Sequence, residues 1–112
     1  MEHWHVTVTL AGEPQREREV SDALHRLLDE RPLLQSCRYG PDTVELQYWE
    51  QAEEIDDAAA MGLRLWGEHQ RSAGLPSWRV VGLEVVDRDT FHRRCNDGAP
   101  AAVSALAEVR PF

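Results

Sequence analysis

WHVTVTL, residues 4–10, alternates apolar and polar side chains along its whole length. A period of two with β-branched residues predicts a β-strand that has one buried apolar face and one polar face. The apolar face carries Trp4, Val6, Val8 and Leu10, and the opposite face carries His3, His5, Thr7 and Thr9. Because these two faces differ chemically, every later strand can be placed relative to this one.

A helix and a hairpin are predicted after the first strand. Ala11-Gly12-Glu13-Pro14 ends the alternation, and apolar residues then recur at helical spacing at Val20, Ala23, Leu24, Leu27 and Leu28. This spacing predicts a helix that ends before Pro32. Two short strand-like runs, residues 33–39 and 43–49, flank Gly40-Pro41-Asp42 and predict a hairpin.

A second helix and another strand follow the hairpin. The acidic segment from Glu50 to Asp57 opens the helix, where the helix dipole favours anions, and Gly74 predicts its end. Residues 78–87 then alternate and predict a strand. One face of that strand carries Val81, Leu83 and Val85, and the other carries Trp78, Val80, Gly82, Glu84 and Val86.

The C-terminal part gives weaker signals. Residues 87–94 predict a short helical turn capped by Asp87 or Asp89. The remainder, residues 95–112, is rich in alanine, and its pattern leaves two alternatives open: a helix near residues 103–109 or an extended strap.

The order strand, helix, strand, strand, helix, strand is that of the ferredoxin-like split βαβ unit. We therefore predict an α+β, two-layer βαββαβ sandwich with a four-stranded antiparallel sheet in the order 4-1-3-2. Residues 1–94 form this domain, and residues 95–112 form an extension that packs on the domain or on a partner subunit. Over residues 4–87 the topology resembles the α/β plait of small ligand-binding regulatory domains and of dimeric α/β-barrel proteins. The lysine-free, alanine-rich composition resembles that of short uncharacterised proteins of high-GC actinobacteria.

Charge and composition exclude several function classes. The 112 residues include 12 basic and 20 acidic side chains, for a net charge of −8, and every basic residue other than histidine is arginine. The absence of lysine excludes a Schiff-base lysine and the P-loop lysine. The net charge disfavours nucleic acid as a partner.

Membrane and compartment are also constrained by the sequence. No stretch approaches the ~18 apolar residues that a membrane span needs, and the N-terminus lacks the pattern of a secretory leader. Cys37 and Cys95 match no paired-cysteine motif, so we predict free thiols and a cytoplasmic location.

The outer face of the predicted sheet, opposite the two helices, holds the candidate chemistry. His3 and His5 lie two residues apart on one strand, with imidazoles about 7 Å apart, and Glu84 could complete a divalent-metal site. His5 with Glu84 could instead be a general-base dyad, in which the carboxylate raises the pKa of the imidazole. The simplest alternative is that these are ordinary polar residues on an outer face.

The outer face also predicts an interaction surface, because it mixes apolar and polar side chains. Trp49, Trp78, Val80 and Val86 are too apolar to leave in water together, whereas neighbours such as Gln47 are too polar for a sealed core. Either a second copy or residues 99–112 could cover them.

We therefore expect a non-enzymatic binding or interaction module that dimerises through this face and takes a small molecule or a protein, without a cofactor. The alternatives are a small enzyme of the dimeric α/β-barrel kind with His5 or His69 as its base, and a metal-binding protein that uses His3, His5 and Glu84. The identity of the ligand and the oligomeric state stay open.

Overall fold

A computed structural model describes residues 1–96 and 108–112 of the chain. In these residues the strands are β1 (Glu2–Ala11), β2 (Leu34–Tyr39), β3 (Thr43–Ala52), β4 (Arg79–Asp87) and β5 (Glu108–Pro111). The helices are α1 (Glu17–Glu30), α2 (Ile55–Ala73) and α3 (Arg88–Asn96). The class is therefore mixed α and β, as the pattern predicts.

The strands form one sheet in the order β4-β1-β3-β2-β5. The predicted order of the first four strands is correct, and these strands pair antiparallel. The prediction of a four-stranded, wholly antiparallel sheet is wrong, because β5 adds parallel to β2. A strand of four residues that includes a proline is too short for periodicity to reveal. For residues 103–109 the sequence left a helix and an extended strap open; residues 108 and 109 belong to β5, and the rest lies outside the described residues.

The core lies between the sheet and the pair α1 and α2. The apolar face of β1 is confirmed, since Val6, Val8 and Leu10 are fully buried. Helix α2 approaches the sheet closely at Gly62, where an added Cβ would lie 3.1 Å from Val6 Cγ1. The predicted end of α2 is confirmed at Gly74, whose φ of 68° places it in the left-handed region.

The start of α2 differs from the prediction. Strand β3 continues through Glu50 to Ala52, and α2 begins at Ile55. Glu2 pairs with Ala52, and the Trp4 indole donates a hydrogen bond of 3.0 Å to the Ala52 carbonyl oxygen. These contacts hold Glu50 in the sheet, although the helix dipole would favour an acidic residue at the start of α2.

The face assignment of Trp78 and Val80 is also corrected. Thr9 pairs with Gly82 and Leu10 pairs with Val80, so the β-bulge in β4 leaves Val81 as an extra residue. One extra residue reverses which side chains face the core. Val80 and Trp78 therefore belong to the core side, and Trp78 is only 6% exposed.

Tyr48 brings an unusual polar atom into this core. Its side chain is 1% exposed, and its hydroxyl is buried without a hydrogen-bond partner among the described residues. Burial raises the pKa of Tyr48 to about 12, so the hydroxyl is neutral at physiological pH. The site therefore carries the cost of desolvating a hydroxyl without a compensating bond.

We expect Tyr48→Phe to raise the free energy of unfolding by about 1 kcal/mol, because it removes that desolvation cost and keeps the ring. Urea unfolding of the two proteins measures the difference. Tyr39→Phe, the same change at a half-buried position of β2, is the matched control and should have little effect. A loss of stability in Tyr48→Phe would show that the hydroxyl has a partner, such as an ordered water.

Candidate functional site

Helix α3 covers one end of the outer face. It follows β4 directly, and the backbone N–H of Thr90 donates a hydrogen bond of 2.7 Å to Asp87 Oδ1. This bond caps the helix, as the sequence predicts. Hydrogen bonding from the Thr90 side chain first, and from its backbone N–H second, lowers the pKa of Asp87. The helix contacts β1 and β4. The Phe91 ring of this helix meets the His5 ring on the outer face, so the helix lies across the sheet from α1 and α2.

Three aromatic rings meet beneath α3, and we call His5, Trp49 and Phe91 the ring cluster. The His5 and Phe91 centroids are 4.3 Å apart, and the His5 and Trp49 centroids are 5.1 Å apart. Trp49 meets Phe91 edge-on at 4.8 Å. His5 is only 5% exposed as a result, whereas Trp49 stays half-buried at the margin of the cluster.

The burial of His5 decides its charge. Desolvation lowers the pKa of His5 from its ordinary value, and the nearby Glu84 carboxylate opposes the shift only in part. The dyad hypothesis expected a raised pKa, and that expectation is wrong because the ring is sealed under Phe91. The Glu84 carboxylate accepts a hydrogen bond of 2.9 Å from Arg94 Nη1 of α3.

The predicted metal ligands do not assemble. Within residues 1–96 and 108–112, no group of three or more His, Cys, Asp or Glu side chains is placed to hold a metal ion. His3 is exposed and shares a hydrogen bond of 3.1 Å with the Gln51 side chain. Glu84 pairs with Thr7 and not with His5, so the three candidates stay apart along the face.

The predicted interface residues divide between the two faces. Trp49, Gln47 and Val86 lie on the outer face, as expected, but Val86 is buried beside His5. Gln47 is partly accessible, and its amide donates a hydrogen bond of 3.0 Å to Glu45. The accessible surface around Trp49 on this face is therefore polar.

Trp78 lies outside that surface altogether. Its ring stacks on Trp66 with centroids 6.3 Å apart and planes 4° apart. Its indole N–H donates a hydrogen bond of 2.9 Å to the Glu13 carbonyl oxygen. The side chain joins β4 to α2 and to the turn after β1, so its role is in the core.

His69, the other candidate base, links the two helices of the core layer. One oxygen of Glu30 accepts hydrogen bonds from His69 Nδ1 at 2.6 Å and from Ser72 Oγ at 2.5 Å. These bonds, that of Ser72 first, lower the pKa of Glu30. A nucleophilic triad needs the histidine between the hydroxyl and the carboxylate. Here the carboxylate lies between the other two groups, which is the arrangement of an interhelical contact.

The two cysteines are free thiols. Burial raises the pKa of Cys37 to about 12, so this residue is protonated and unreactive at neutral pH. Cys95 is partly exposed at the end of α3.

Phe91 is the site residue that sequence reasoning missed. Its helix is short and mostly charged, and a single phenylalanine gives no stripe from which a packing direction could be read. The Asp87 cap predicted the helix but not the face that the helix would cover.

Comparisons with known proteins give one family. A family model described as a domain of unknown function (DUF8830) matches residues 3–102. A search of curated proteins finds no match to the chain. None of the helices in the described ranges is both long and apolar enough to cross a membrane.

Proposed function

The chain belongs to the DUF8830 family, and from this premise we propose that it is a cytoplasmic, non-enzymatic interaction module that acts as a homodimer. The outer face beside α3 receives a small molecule or a protein partner. The ferredoxin-like resemblance of the βαββαβ part belongs to this proposal, because small ligand-binding domains of that kind use the same arrangement.

The proposal rests on Trp49, the partly accessible member of the ring cluster. Trp49 is held edge-on by His5 and Phe91, so its position is fixed while part of its ring stays accessible. Gln47 lies next to it along the same strand face with polar amide atoms. A fixed aromatic ring beside a polar group is typical of binding surfaces.

The surroundings of the histidines support binding over catalysis. His5 is sealed, and His69 is bonded to Glu30. Three surface depressions of about 300–320 Å³ are formed by described residues, and none of these three is lined by His5 or His69. The two free thiols fit a reducing compartment.

Sedimentation velocity of the wild-type protein, from micromolar to millimolar concentration, tests the homodimer. We expect the sedimentation coefficient to rise with concentration from the monomer value to the dimer value. A monomer over the whole range would overturn the proposal of a homodimer.

A further inference from the structure

His5 and Trp49 form a corner on the outer face, and neighbouring strands hold this corner in place. His5 pairs with Trp49 on β3 and with Val86 on β4, so the three side chains lie in one row across the sheet. The planes of the His5 and Trp49 rings are 70° apart, and their centroids are 5.1 Å apart. Two rings at such an angle leave room for a third ring against both. Because β1 is paired on both sides, the corner does not depend on α3 for its shape.

A phenyl ring of the chain itself fills this corner. The Phe91 centroid lies 4.3 Å from that of His5, with the planes tilted by 34°, and 4.8 Å from that of Trp49, with the planes at 75°. Aromatic rings favour such tilted and edge-on contacts over a parallel sandwich. The ring seated in the corner therefore shows which chemistry the corner accepts, namely one flat ring without charge.

Phe91 is held less firmly than the corner that it fills. No residue of α3 is fully buried, and Phe91 is itself only partly buried. Two other attachments of α3 do not involve its ring: the Thr90 backbone N–H bonds to Asp87, and Arg94 bonds to Glu84. The Phe91 side chain can therefore turn towards solvent while the helix stays attached near both of its ends.

The charges beside the corner favour an uncharged ligand. Burial lowers the pKa of His5, so its imidazole is neutral at physiological pH. The Glu84 carboxylate on the same face is bonded to Arg94 Nη1 at 2.9 Å, so these two opposite charges compensate each other. A charged ligand would lose its hydration without gaining an opposite charge from these groups. An uncharged aromatic ring has no such cost.

The accessible side of Trp49 provides the route into the corner. Helix α3 lies over β1 and β4, whereas Trp49 belongs to β3 and is only half-buried. A ring can therefore arrive from the β3 side. This route suits a small molecule, because a protein side chain would have to bring its own backbone beneath α3.

From these observations we propose that the corner between His5 and Trp49 binds one uncharged aromatic ring of a small molecule, and that Phe91 is the gate of this site. Without a ligand, the Phe91 ring occupies the corner. When a ligand enters, Phe91 turns out and the ring of the ligand takes its place. This inference rests on the proposed binding function of the outer face and names its ligand class. It also explains why none of the three open depressions is lined by His5.

The gate makes binding weaker than the bare corner would allow. A ligand binds only those molecules in which Phe91 has turned out, and the apparent dissociation constant rises as that fraction falls. A substitution that removes the Phe91 ring removes this cost. Phe91→Ala should therefore bind the ligand more tightly than wild type, whereas the loss of a residue that only contacts the ligand would weaken binding.

Titration with benzyl alcohol, an uncharged molecule with one phenyl ring, tests the gate by NMR spectroscopy. We expect the ring protons of His5 and the indole N–H of Trp49 to shift in wild type and in Phe91→Ala. The dissociation constant should be about tenfold lower in Phe91→Ala, because no ring has to leave the corner. Phe112→Ala is the matched control, since Phe112 is the other phenylalanine of the chain and is 55% exposed. This control should bind as wild type does.

Cyclohexylmethanol, the saturated counterpart of benzyl alcohol, tests the ligand class. It should bind more weakly than benzyl alcohol, because contacts between aromatic rings stabilise a complex beyond the area that they bury. Equal affinities for the two alcohols would overturn the assignment of an aromatic ring.

Phe91→Leu separates the loss of the ring from a loss of the helix. Leucine keeps an apolar contact on His5, and amide hydrogen exchange of α3 shows whether the helix stays docked in each variant. We expect the affinity of Phe91→Leu for benzyl alcohol to lie between those of wild type and Phe91→Ala. If α3 detaches in Phe91→Ala, Phe91→Leu decides: binding tighter than that of wild type supports the gate, and equal binding overturns it.

Three results would overturn the inference. They are equal affinities of wild type and Phe91→Ala, binding by Phe91→Ala alone, and shifts that leave His5 and Trp49 unmoved. Binding by the variant alone would mean that wild type never releases the Phe91 ring, so that Phe91 is a packing residue. The homodimer is tested separately by sedimentation velocity, and a monomer there would leave this site standing.

Discussion

Replacement of Trp78 by alanine is expected to lower the free energy of unfolding by about 3–5 kcal/mol, the range for a large buried aromatic residue. The ring is 6% exposed and stacks on Trp66, so its removal leaves a cavity between β4 and α2. It also removes the donor that bonds the Glu13 carbonyl oxygen. Urea unfolding followed by circular dichroism measures the loss. Trp49→Ala, the same change at the half-buried margin of the outer face, should cost less.

A substitution at Gly12 tests the packing of the Trp78 ring from the residue that it contacts. A Cβ added at Gly12 would overlap Cδ1 and Cγ of the Trp78 ring, so Gly12→Ala should also destabilise the protein. In the Trp78→Ala background the overlap is gone, and Gly12→Ala should then cost almost nothing. If the two effects were additive, Trp78 would not occupy the position described above.

Trp78 also shows where sequence reasoning stops. The alternation of β1 assigned its faces correctly, because each position that faces the core is apolar and each position on the outer face is polar. In β4 the adjacent valines Val80 and Val81 fit either face equally well, so the composition could not locate the bulge. A register shift of one residue then moved Trp78 and Val80 from the predicted outer face to the core.

The candidate site, like the fold, could be predicted only in part. The strand order brought His5, Trp49 and Val86 together, as the sequence predicted. The packing of α3 over these residues could not be predicted, because Phe91 is the one large apolar residue of a mostly charged helix. This packing lowers the pKa of His5, which was expected to be raised, because burial outweighs the effect of the Glu84 carboxylate.

We expect the folded protein to lose stability as the pH falls below 6.5, and His5 to cause this loss. The folded-state pKa of His5 lies below its ordinary value of 6.5, because the buried ring resists charging. The unfolded chain therefore binds the proton first, and the unfolded state gains free energy relative to the folded state as the pH falls through this window. Well above pH 6.5 both states hold a neutral ring, and the contribution of His5 to stability is complete.

Urea unfolding at half-unit steps between pH 8 and pH 5 measures the effect. In His5→Phe, whose ring fills similar space without titrating, the slope of stability against pH in this window should decrease. His25→Gln is the matched control, because His25 is exposed on α1 and should leave the slope unchanged. Glu30 and Asp87 also have lowered pKa values, but from ordinary values of 4.5 and 3.8, so their contributions are lost in a more acidic range. An unchanged slope in His5→Phe would therefore mean that the ring of His5 is solvated and that α3 does not seal it.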